Sequence, residues 1–574
     1  MQFPEPLLEP YIDLGDSILE PTAGVVNGNP QAFILPLFAA LVISLIVIPI
    51  MVRLAPRLGM LDKPDARKIH VATVPRVGGV GIVIGCLVTI VFLIPFDPSL
   101  QAFIIGALVL FFFGVMDDCK ELGHYVKFIG QFIAVIVVVY YGDVYVTHLP
   151  YMSGESISAA VARPFTVFAM VGMINAINHS DGLDGLAGGE SLLSLCCIAY
   201  LAFVAGGANI AVIALATIGG LLGFMRYNTY PAKIFMGDGG SQFLGYTLGF
   251  LTVVLTQEVN PVLSPALPLL ILGLPIADII AVFVQRIYKG MNWFRASKNH
   301  IHHRLLDLGF HHYESVVLVY SVQAFMVLSA IMMAYESDLL ITAVYLAVVA
   351  LVFLLLVVAE RRGWKMREDR DQSVLLKTIE TPLYAGRLSS IVHALINYGI
   401  ALFLIAGAFM ATTIPVDFTV AAAILFALLL IRLVSGYRVW FLSLRMLVYV
   451  TVVFVVYLLN TYQPAYLSGA DPVTYTFFFI LVAAIALSIR LQKGGRFHVT
   501  PTDFLIFLTV IGLMVLSKNG IVSSGITSIV LKTIILYFGC ELLFSKMTSR
   551  INPLTVSALA ALLVIGTRGL LTVI

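Results

Sequence analysis

Charged residues are scarce in this chain of 574 residues. Asp, Glu, Lys and Arg make up 11% of it, against roughly 25% in soluble proteins, and 60% of the residues are hydrophobic. Apolar runs of about 17 to 22 residues recur from residue 32 onward, and each can cross a bilayer as a helix. The composition excludes a soluble globular protein and predicts a polytopic membrane protein. The net charge of +2 gives no reason to expect a nucleic-acid partner.

Cysteine is also scarce. The five cysteines lie in or beside apolar runs without zinc-type spacing, so we interpret them as small hydrophobic residues and expect no disulfide framework. Lysine and arginine are missing from residues 1–31, which therefore lack the basic start of a cleaved signal peptide. The first span is expected to be retained.

The apolar runs predict an all-α fold, a polytopic bundle of about 18 transmembrane helices, about 11 in a first part and about 7 in a second. The predicted spans lie near residues 32–52, 77–95, 101–116, 126–141, 162–178, 190–205, 208–225, 241–256, 265–285, 314–335, 338–358, 391–411, 416–431, 446–460, 474–489, 503–516, 525–544 and 555–573.

Basic residues predict the orientation of this bundle, because short cytoplasmic loops are enriched in Lys and Arg. Residues 1–31 contain neither, whereas residues 53–76 are rich in both. The alternation continues along the chain with few exceptions, which are Arg163, Lys518, Lys532 and Arg568. We therefore expect an external N-terminus. On this topology the acidic motifs described next all lie at the cytoplasmic ends of spans.

Asp and Asn residues recur at every third position in the stretch NAINHSDGLDGLAGGE, as Asn175, Asn178, Asp181 and Asp184. On a tight helical turn they would share one stripe, and the neighbouring glycines would let the backbone approach a ligand. Carboxylates on one surface repel each other unless a cation lies among them. Oxygen ligands with phosphate partners suit Mg²⁺, with Mn²⁺ as the alternative. The other interpretation is that these residues only cap helices.

Two further acidic motifs are predicted on the same face. Asp117 and Asp118 are adjacent, so on a helix they would point about 100° apart and would not share one role. One is expected to face the metal and the other the reacting phosphate or a base, unless the pair merely ends a solvated helix. Asp238 lies in a glycine-rich turn just before a span, where backbone N–H groups can meet a phosphate.

The loop NHIHHRL contains His300, His302, His303 and Arg304. Imidazole suits zinc, but no cysteine accompanies these histidines. Basic residues flank them, which favours contact with a phosphate or sugar over metal binding. Loop packing is the third interpretation.

These motifs occur in one order, and together they identify a resemblance. From about residue 32 to about residue 360 the chain resembles the polyprenyl-phosphate N-acetylhexosamine-1-phosphate transferases. The motifs are DKPDARKIHVATVPRVGG (62–79), MDDCKEL (116–122), NAINHSDGLDGLAGG (175–189), RYNTYPAKIFMGDGGSQFLG (226–245) and HIHHRLLDLG (300–309). The HIHH form is similar to the branch that uses UDP-N-acetylglucosamine. The branch that transfers phospho-N-acetylmuramoyl-pentapeptide typically has three consecutive histidines there.

The resemblance implies a reaction in the bacterial cytoplasmic (inner) membrane. Undecaprenyl phosphate would attack the sugar-linked phosphorus of UDP-GlcNAc and release UMP, as the first membrane step of cell-surface polysaccharide synthesis. The resemblance leaves open whether this attack is direct or follows a covalent aspartyl intermediate. By the resemblance, Asp238 and Asp184 would bind Mg²⁺, and Asp181, Asp184 and Asn178 would support the metal–diphosphate region. Asp117 and Asp118 would engage or deprotonate the lipid phosphate. Asn228 and Phe235 would contact the uridine, and the residues of sugar recognition would be His300, His302, His303 and Arg304.

The predicted organisation has four parts. Residues 1–31 form an external segment, 32–359 the transferase domain, 360–390 a charged cytoplasmic linker, and 391–574 a multi-span membrane extension of unknown role. A packing or partner-binding module is the default for the extension, and a second copy of the chain or downstream glycosyltransferases are its candidate partners. Lys532 lies within an apolar run, where it would be functional or would snorkel to the interface.

Three alternatives to UDP-GlcNAc transfer stay open. The same chemistry could use another UDP-N-acetylhexosamine. A transporter would carry its acids near mid-membrane rather than at span ends. An inactive scaffold would have lost one of the acidic motifs, all of which are intact here.

Overall fold

The structure is a computed structural model that describes residues 34–62, 73–120, 122–152, 155–290, 299–367, 384–434, 444–462, 472–491, 524–545 and 551–573. The predictions for the N-terminal segment 1–31, for most of the linker 360–390 and for the span near 503–516 lie outside these residues. The chain divides into two compact units. The first comprises residues 1–370 with 500–502, and the second comprises 371–499 and 503–574.

Helices form nearly all of the described part of the first unit. They are α1 (Ile34–Leu58), α2 (Gly78–Leu93), α3 (Pro98–Lys120), α4 (His124–Ile136), α5 (Ala159–Ser180), α6 (Leu186–Val204), α7 (Ala208–Asn228), α8 (Asp238–Val254), α9 (Pro268–Ile271), α10 (Gly273–Tyr288), α11 (Ile301–Asp307), α12 (His312–Met332) and α13 (Asp338–Arg361). Helix α4 continues as a π-helical turn, Val137–Tyr141, and α8 as Leu255–Val259. Two short strands, β1 (Leu61–Asp62) and β2 (Val74–Pro75), pair antiparallel between α1 and α2.

Helix α8 is the central helix of this unit. It packs against α2, α3 and α5, and every residue from Gly239 to Val254 is buried. A helix enclosed by other helices does not have to match the lipid, so it can carry polar side chains on every side. Ser241 and Gln242 follow Asp238 in its first turn. The first turn of α8 is therefore a protected place for polar groups.

The predicted span 265–285 is interrupted rather than continuous. Helix α9 ends at Ile271 and α10 begins at Gly273, whose positive φ of 35° suits glycine. Gln323 of α12 compensates for the break, because its Oε1 accepts from the Leu274 N–H at 3.0 Å and its Nε2 donates to the Ile271 carbonyl at 3.2 Å. Side chains must satisfy such freed backbone groups inside a membrane.

The second unit is also helical. Its helices are α14 (Tyr384–Met410), α15 (Val416–Val434), α16 (Leu444–Thr461), α17 (Pro472–Leu491), α18 (Ser524–Ser545) and α19 (Pro553–Val573). They share a core of aliphatic and aromatic residues that includes Ile396, Leu404 and Val455.

Across the described residues of both units, 11 helices are long and apolar enough to cross a membrane, and the shorter apolar helices are Gly78–Leu93, Phe418–Val434, Leu447–Thr461 and Pro472–Ser488. The predicted all-α polytopic membrane fold is confirmed. Together these are 15 helices within the described residues, three fewer than the predicted 18 spans. One predicted span lies outside the described residues, α8 is not among the qualifying helices, and the span 265–285 is broken.

Candidate active site

The acidic motifs meet at one end of the first unit, where α3, α5 and α7 end and α4, α6 and α8 begin. Lys127, in the first turn of α4, bridges two of these acids. Its Nζ lies 2.7 Å from Asp117 Oδ2 and 2.7 Å from Asp238 Oδ2. Asp117 also accepts from the Leu122 N–H at 2.6 Å. The ammonium therefore balances two carboxylates that are 121 positions apart in the sequence.

Asp118 has different partners from its neighbour Asp117. Its carboxylate accepts from the backbone N–H of Asp238 at 3.0 Å and from that of Gly239 at 3.2 Å, which places it on the N-terminus of α8. Gly237 makes this approach feasible. It has a φ of 73°, and a Cβ there would lie 2.5 Å from Asp118 Oδ2. The two acids thus make different contacts, which is compatible with the prediction that they do not share one role.

Asn178 joins α5 to the start of α8. Its Nδ2 donates to Ser241 Oγ at 2.8 Å and lies 3.3 Å from Asp238 Oδ1. One turn earlier, Asn175 donates to Gln131 Oε1 at 2.8 Å, and Gln131 Nε2 lies 3.3 Å from Gln242 Oε1. These amides fix the α4, α5 and α8 ends relative to one another.

A second set of contacts organises the loop between α5 and α6. Asp184 Oδ2 accepts from the Ala232 N–H at 2.9 Å, and the Asp184 N–H donates to His312 Nε2 at 3.0 Å. Asn228, predicted to contact uridine, is buried. Its Oδ1 accepts from the Gly185 N–H at 2.8 Å and its Nδ2 donates to the Ile234 carbonyl at 2.9 Å. Its side chain therefore holds two loops together.

Phe235 is half-buried beside the short sheet. Its N–H donates to the Pro75 carbonyl at 2.8 Å, and its carbonyl accepts from the Gly78 N–H at 2.9 Å. These bonds attach the glycine-rich turn before α8 to the start of α2. Residues 75–78 of the first motif are therefore hydrogen-bonded to the turn that carries Asp238.

The histidines of HIHH form a stack that continues onto α5. The rings of His179 and His300 are 5.2 Å apart, those of His300 and His302 are 5.8 Å apart, and those of His302 and His303 are 4.3 Å apart. His302 Nε2 is buried without a hydrogen-bond partner, and a Cβ on Gly182 would lie 2.2 Å from it. The stack therefore reaches the loop that carries Asp181 and Asp184.

Arg304 forms an ion pair with Glu360 at the end of α13. Its Nε and Nη2 donate to the two oxygens of Glu360 at 2.6 and 2.9 Å, which is a bidentate pair. Its Nη1 is buried without a partner. One edge of the guanidinium is thus bound to Glu360, and Nη1 makes no hydrogen bond within the protein.

Two groups of the site, Asp181 after α5 and His302 in α11, have displaced pKa values. Burial, together with the charges of Asp238 and Asp184, raises the pKa of Asp181 to about 7. Burial and the neighbouring histidines lower the pKa of His302 well below its usual range, so this ring is neutral at physiological pH. A carboxyl with a pKa near neutrality in a cluster of acids is typical of functional sites.

The sequence reasoning did not single out Lys127 or Asp278, a buried acid of α10 that contacts His300. A signal for both was present, because an ionisable residue inside a predicted span is expensive and usually functional. Lys127 lies in the predicted span 126–141 and Asp278 in the span 265–285.

The oxygen donors of the site suit a hard divalent cation. Within the part of the chain that the structure describes, no group of three or more His, Cys, Asp or Glu side chains is arranged to hold a metal ion. Mg²⁺ does not require such a group, since it commonly takes one or two carboxylates with water and substrate phosphate oxygens. The residues present therefore fit a cation that is bound together with a phosphorylated substrate.

Carboxylates, an ammonium and a histidine stack at the ends of membrane helices define a membrane-embedded site for group transfer with phosphate-containing substrates. Comparisons with known proteins specify the class. Residues 100–256 match the family "Glycosyl transferase family 4".

Curated relatives cover more of the chain. It is 34% identical over 339 residues to the Bacillus subtilis (strain 168) "Probable undecaprenyl-phosphate N-acetylglucosaminyl 1-phosphate transferase", which spans 58% of this chain and 91% of the relative. It is 30% identical over 320 residues to the "Undecaprenyl-phosphate alpha-N-acetylglucosaminyl 1-phosphate transferase" of Escherichia coli (strain K12), over 55% of this chain and 87% of that protein. The chain belongs to this family of membrane sugar-1-phosphate transferases, and the family prediction is confirmed.

Proposed function

We propose that this enzyme transfers GlcNAc-1-phosphate from UDP-GlcNAc to undecaprenyl phosphate and releases UMP. The observation that carries the proposal is the Asp117–Lys127–Asp238 bridge, in a chain whose relatives are named for this reaction. Phosphoryl transfer needs positioned charges more than unusual side chains, and this bridge supplies charges of both signs at one point.

In this mechanism an oxygen of the lipid phosphate attacks the sugar-linked phosphorus. A new P–O bond forms, the bond to the UMP oxygen breaks, and UMP leaves with the electron pair. Asp117 would accept the proton of the lipid phosphate, and Lys127 would bind and orient its oxygens; their ion pair at 2.7 Å supports this assignment. Asp118 is a positioning residue, because both its oxygens are bonded to the backbone of α8.

Asp238 and Asp184 would hold Mg²⁺, with Mn²⁺ as the alternative, and Asp181 and Asn178 would support them. The ion would neutralise the diphosphate when bound. His300, His302, His303 and Arg304 would contact the sugar and its phosphate, and Phe235 would contact the uridine. Asn228 would act on the uridine site indirectly, through the two loops that it joins.

The transferase activity is assigned to residues 32–359, in the bacterial inner membrane. The excess of Lys and Arg in alternate loops supports a cytoplasmic site and an external N-terminus. A site at helix ends lets a water-soluble nucleotide sugar meet a lipid whose tail stays in the bilayer. The extension 391–574 is then a packing module or a partner-binding module for a second copy or for downstream glycosyltransferases.

The test measures UMP release by the purified protein with Mg²⁺, undecaprenyl phosphate and a panel of UDP-N-acetylhexosamines. We expect lipid-dependent UMP from UDP-GlcNAc and its loss in Asp238→Asn. Asp97→Asn is the matched control, because Asp97 accepts from the Leu100 N–H at the opposite end of α3. UMP from another sugar alone would keep the chemistry and change the donor. No UMP from any donor, with folded protein, would refute the proposal.

A further inference from the structure

Asp278 is a buried carboxylate that lies outside every motif of the family resemblance. It belongs to α10, in a segment that the sequence predicts as an apolar span. Its Oδ2 lies 2.7 Å from His300 Nδ1, and its Oδ1 accepts from the Ile301 N–H at 2.9 Å. Both oxygens are therefore used, one on the histidine ring and one on the first residue of α11.

This pairing fixes the protonation pattern of the ring. A carboxylate can only accept, so His300 Nδ1 must carry a proton and Nε2 becomes the nitrogen that can interact with a substrate. One face of the His300 ring also stacks on the His179 ring, with 5.2 Å between the ring centroids and an interplanar angle of 22°. His179 directly follows Asn178, which contacts Asp238 and Ser241. The orientation of His300 is thus fixed relative to the acidic cluster.

A purely structural role explains this arrangement less well. Burying a carboxylate is costly, and a neutral cap such as Ser or Asn at this position would bind the Ile301 N–H without that cost. A negative charge on Asp278 is useful if the His300 ring must keep one tautomer, or if it must become positively charged beside a phosphate. An imidazole that is oriented by a carboxylate is a recurring device for both purposes.

We propose that Asp278 is a positioning residue for the transfer reaction, which acts by holding His300 in the Nδ1–H tautomer and in one orientation. The inference rests on the proposed function, in which His300 contacts the sugar phosphate. It adds a residue from α10 to a site otherwise built from the ends of α3 to α8 and from the HIHH loop.

The first measurement is a double-mutant cycle in the UMP-release assay. Asp278→Asn should lower kcat/KM by about 10- to 100-fold, as loss of an outer-shell partner of a functional histidine typically does. In a His300→Gln background the same change should have less than about a twofold further effect, because residues that act as one unit are not additive. A structural cap would lower stability in both backgrounds and would give additive losses.

The second measurement does not depend on activity. Long-range proton–nitrogen spectra of protein labelled with ¹⁵N-histidine report which ring nitrogen is protonated, and His300→Gln assigns the signal. We expect Nδ1–H in the wild type and a loss of that preference in Asp278→Asn. An Nε2–H tautomer in the wild type, or a spectrum unchanged by Asp278→Asn, would refute the proposal. If no donor yields UMP but the tautomer shifts as expected, the proposed function fails and the pairing stands.

Asp338→Asn is the matched control. Asp338 also uses both oxygens, accepting from the Tyr151 N–H at 2.9 Å and from Ser264, which precedes α9 in the chain. It should change the unfolding midpoint without changing kcat/KM or the His300 signal. An equal loss of kcat/KM in this variant would mean that removing any acid bonded through both oxygens has the effect, and the proposal would be overturned.

Discussion

Removing the carboxylate of Asp118 should reduce stability and activity together, because Asp118 holds the helix that presents Asp238. Each charge-assisted hydrogen bond contributes about 1.5–3 kcal/mol when buried. Asp118 makes two, at 3.0 and 3.2 Å, and it lies on a helix N-terminus, which favours a negative charge by a further 0.3–1 kcal/mol or so.

Two effects oppose these. Asp118 is only 6% exposed, so its negative charge is penalised by burial away from water. Asp238 is itself acidic, so removing Asp118 also relieves a repulsion between like charges. That relief is small because Lys127 already balances Asp238 at 2.7 Å. The hydrogen bonds outweigh both effects, and the free energy of unfolding should fall by about 2–4 kcal/mol in Asp118→Ala. Asp118→Asn should lose about half as much, since its amide oxygen can still accept from one of the two N–H groups.

Thermal unfolding in detergent and UMP release measured on the same preparations would test this reasoning. We expect the turnover of Asp118→Ala, Asp118→Asn and the wild type to follow the order of their unfolding midpoints. Asp117→Asn provides the neighbouring comparison. It loses an ion pair with Lys127 that is partly exposed, so its activity should fall more than its midpoint. An Asp118→Asn variant with an unchanged midpoint and no activity would show that the carboxylate acts on the substrate instead.

Three further predictions concern other parts of the site. Lys127→Met should lower turnover yet tighten Mn²⁺ binding by roughly tenfold, measured by electron paramagnetic resonance. The reason is that the Lys127 ammonium no longer competes with the metal ion for the carboxylates of Asp117 and Asp238. Weaker Mn²⁺ binding would contradict this. Asp181 has a folded pKa of about 7 and an unfolded value near 3.9, so the folded state binds the extra proton between these values. The unfolding midpoint should therefore fall as pH rises from about 4 to about 7, and Asp181→Asn should lack this slope. Gly79→Ala should destabilise by about 1–3 kcal/mol, since a Cβ would lie 2.3 Å from the Gly240 backbone nitrogen, whereas Gly172→Ala has open space and should be neutral or stabilising in the same unfolding assay.

The class of fold follows from local composition. A run such as residues 339–358 is long, apolar and uncharged, so a membrane helix satisfies its backbone hydrogen bonds in lipid, and α13 forms there. Local pattern fails where a helix is enclosed by protein. Helix α8 is more polar than a lipid-facing span because its neighbours cover it, and the break at Gly273 depends on Gln323, which lies on another helix.

For the site, the sequence alone determined which residue types are present and that they belong to one family of membrane transferases, because the motifs keep their order and spacing. Only the tertiary structure decided what each side chain contacts. Asp117 and Asp118 are neighbours in sequence, yet one pairs with Lys127 and the other with the backbone of α8. These contacts are set by the direction of each side chain, towards the next helix for Asp117 and towards a segment 120 residues away for Asp118, and no local pattern encodes that direction.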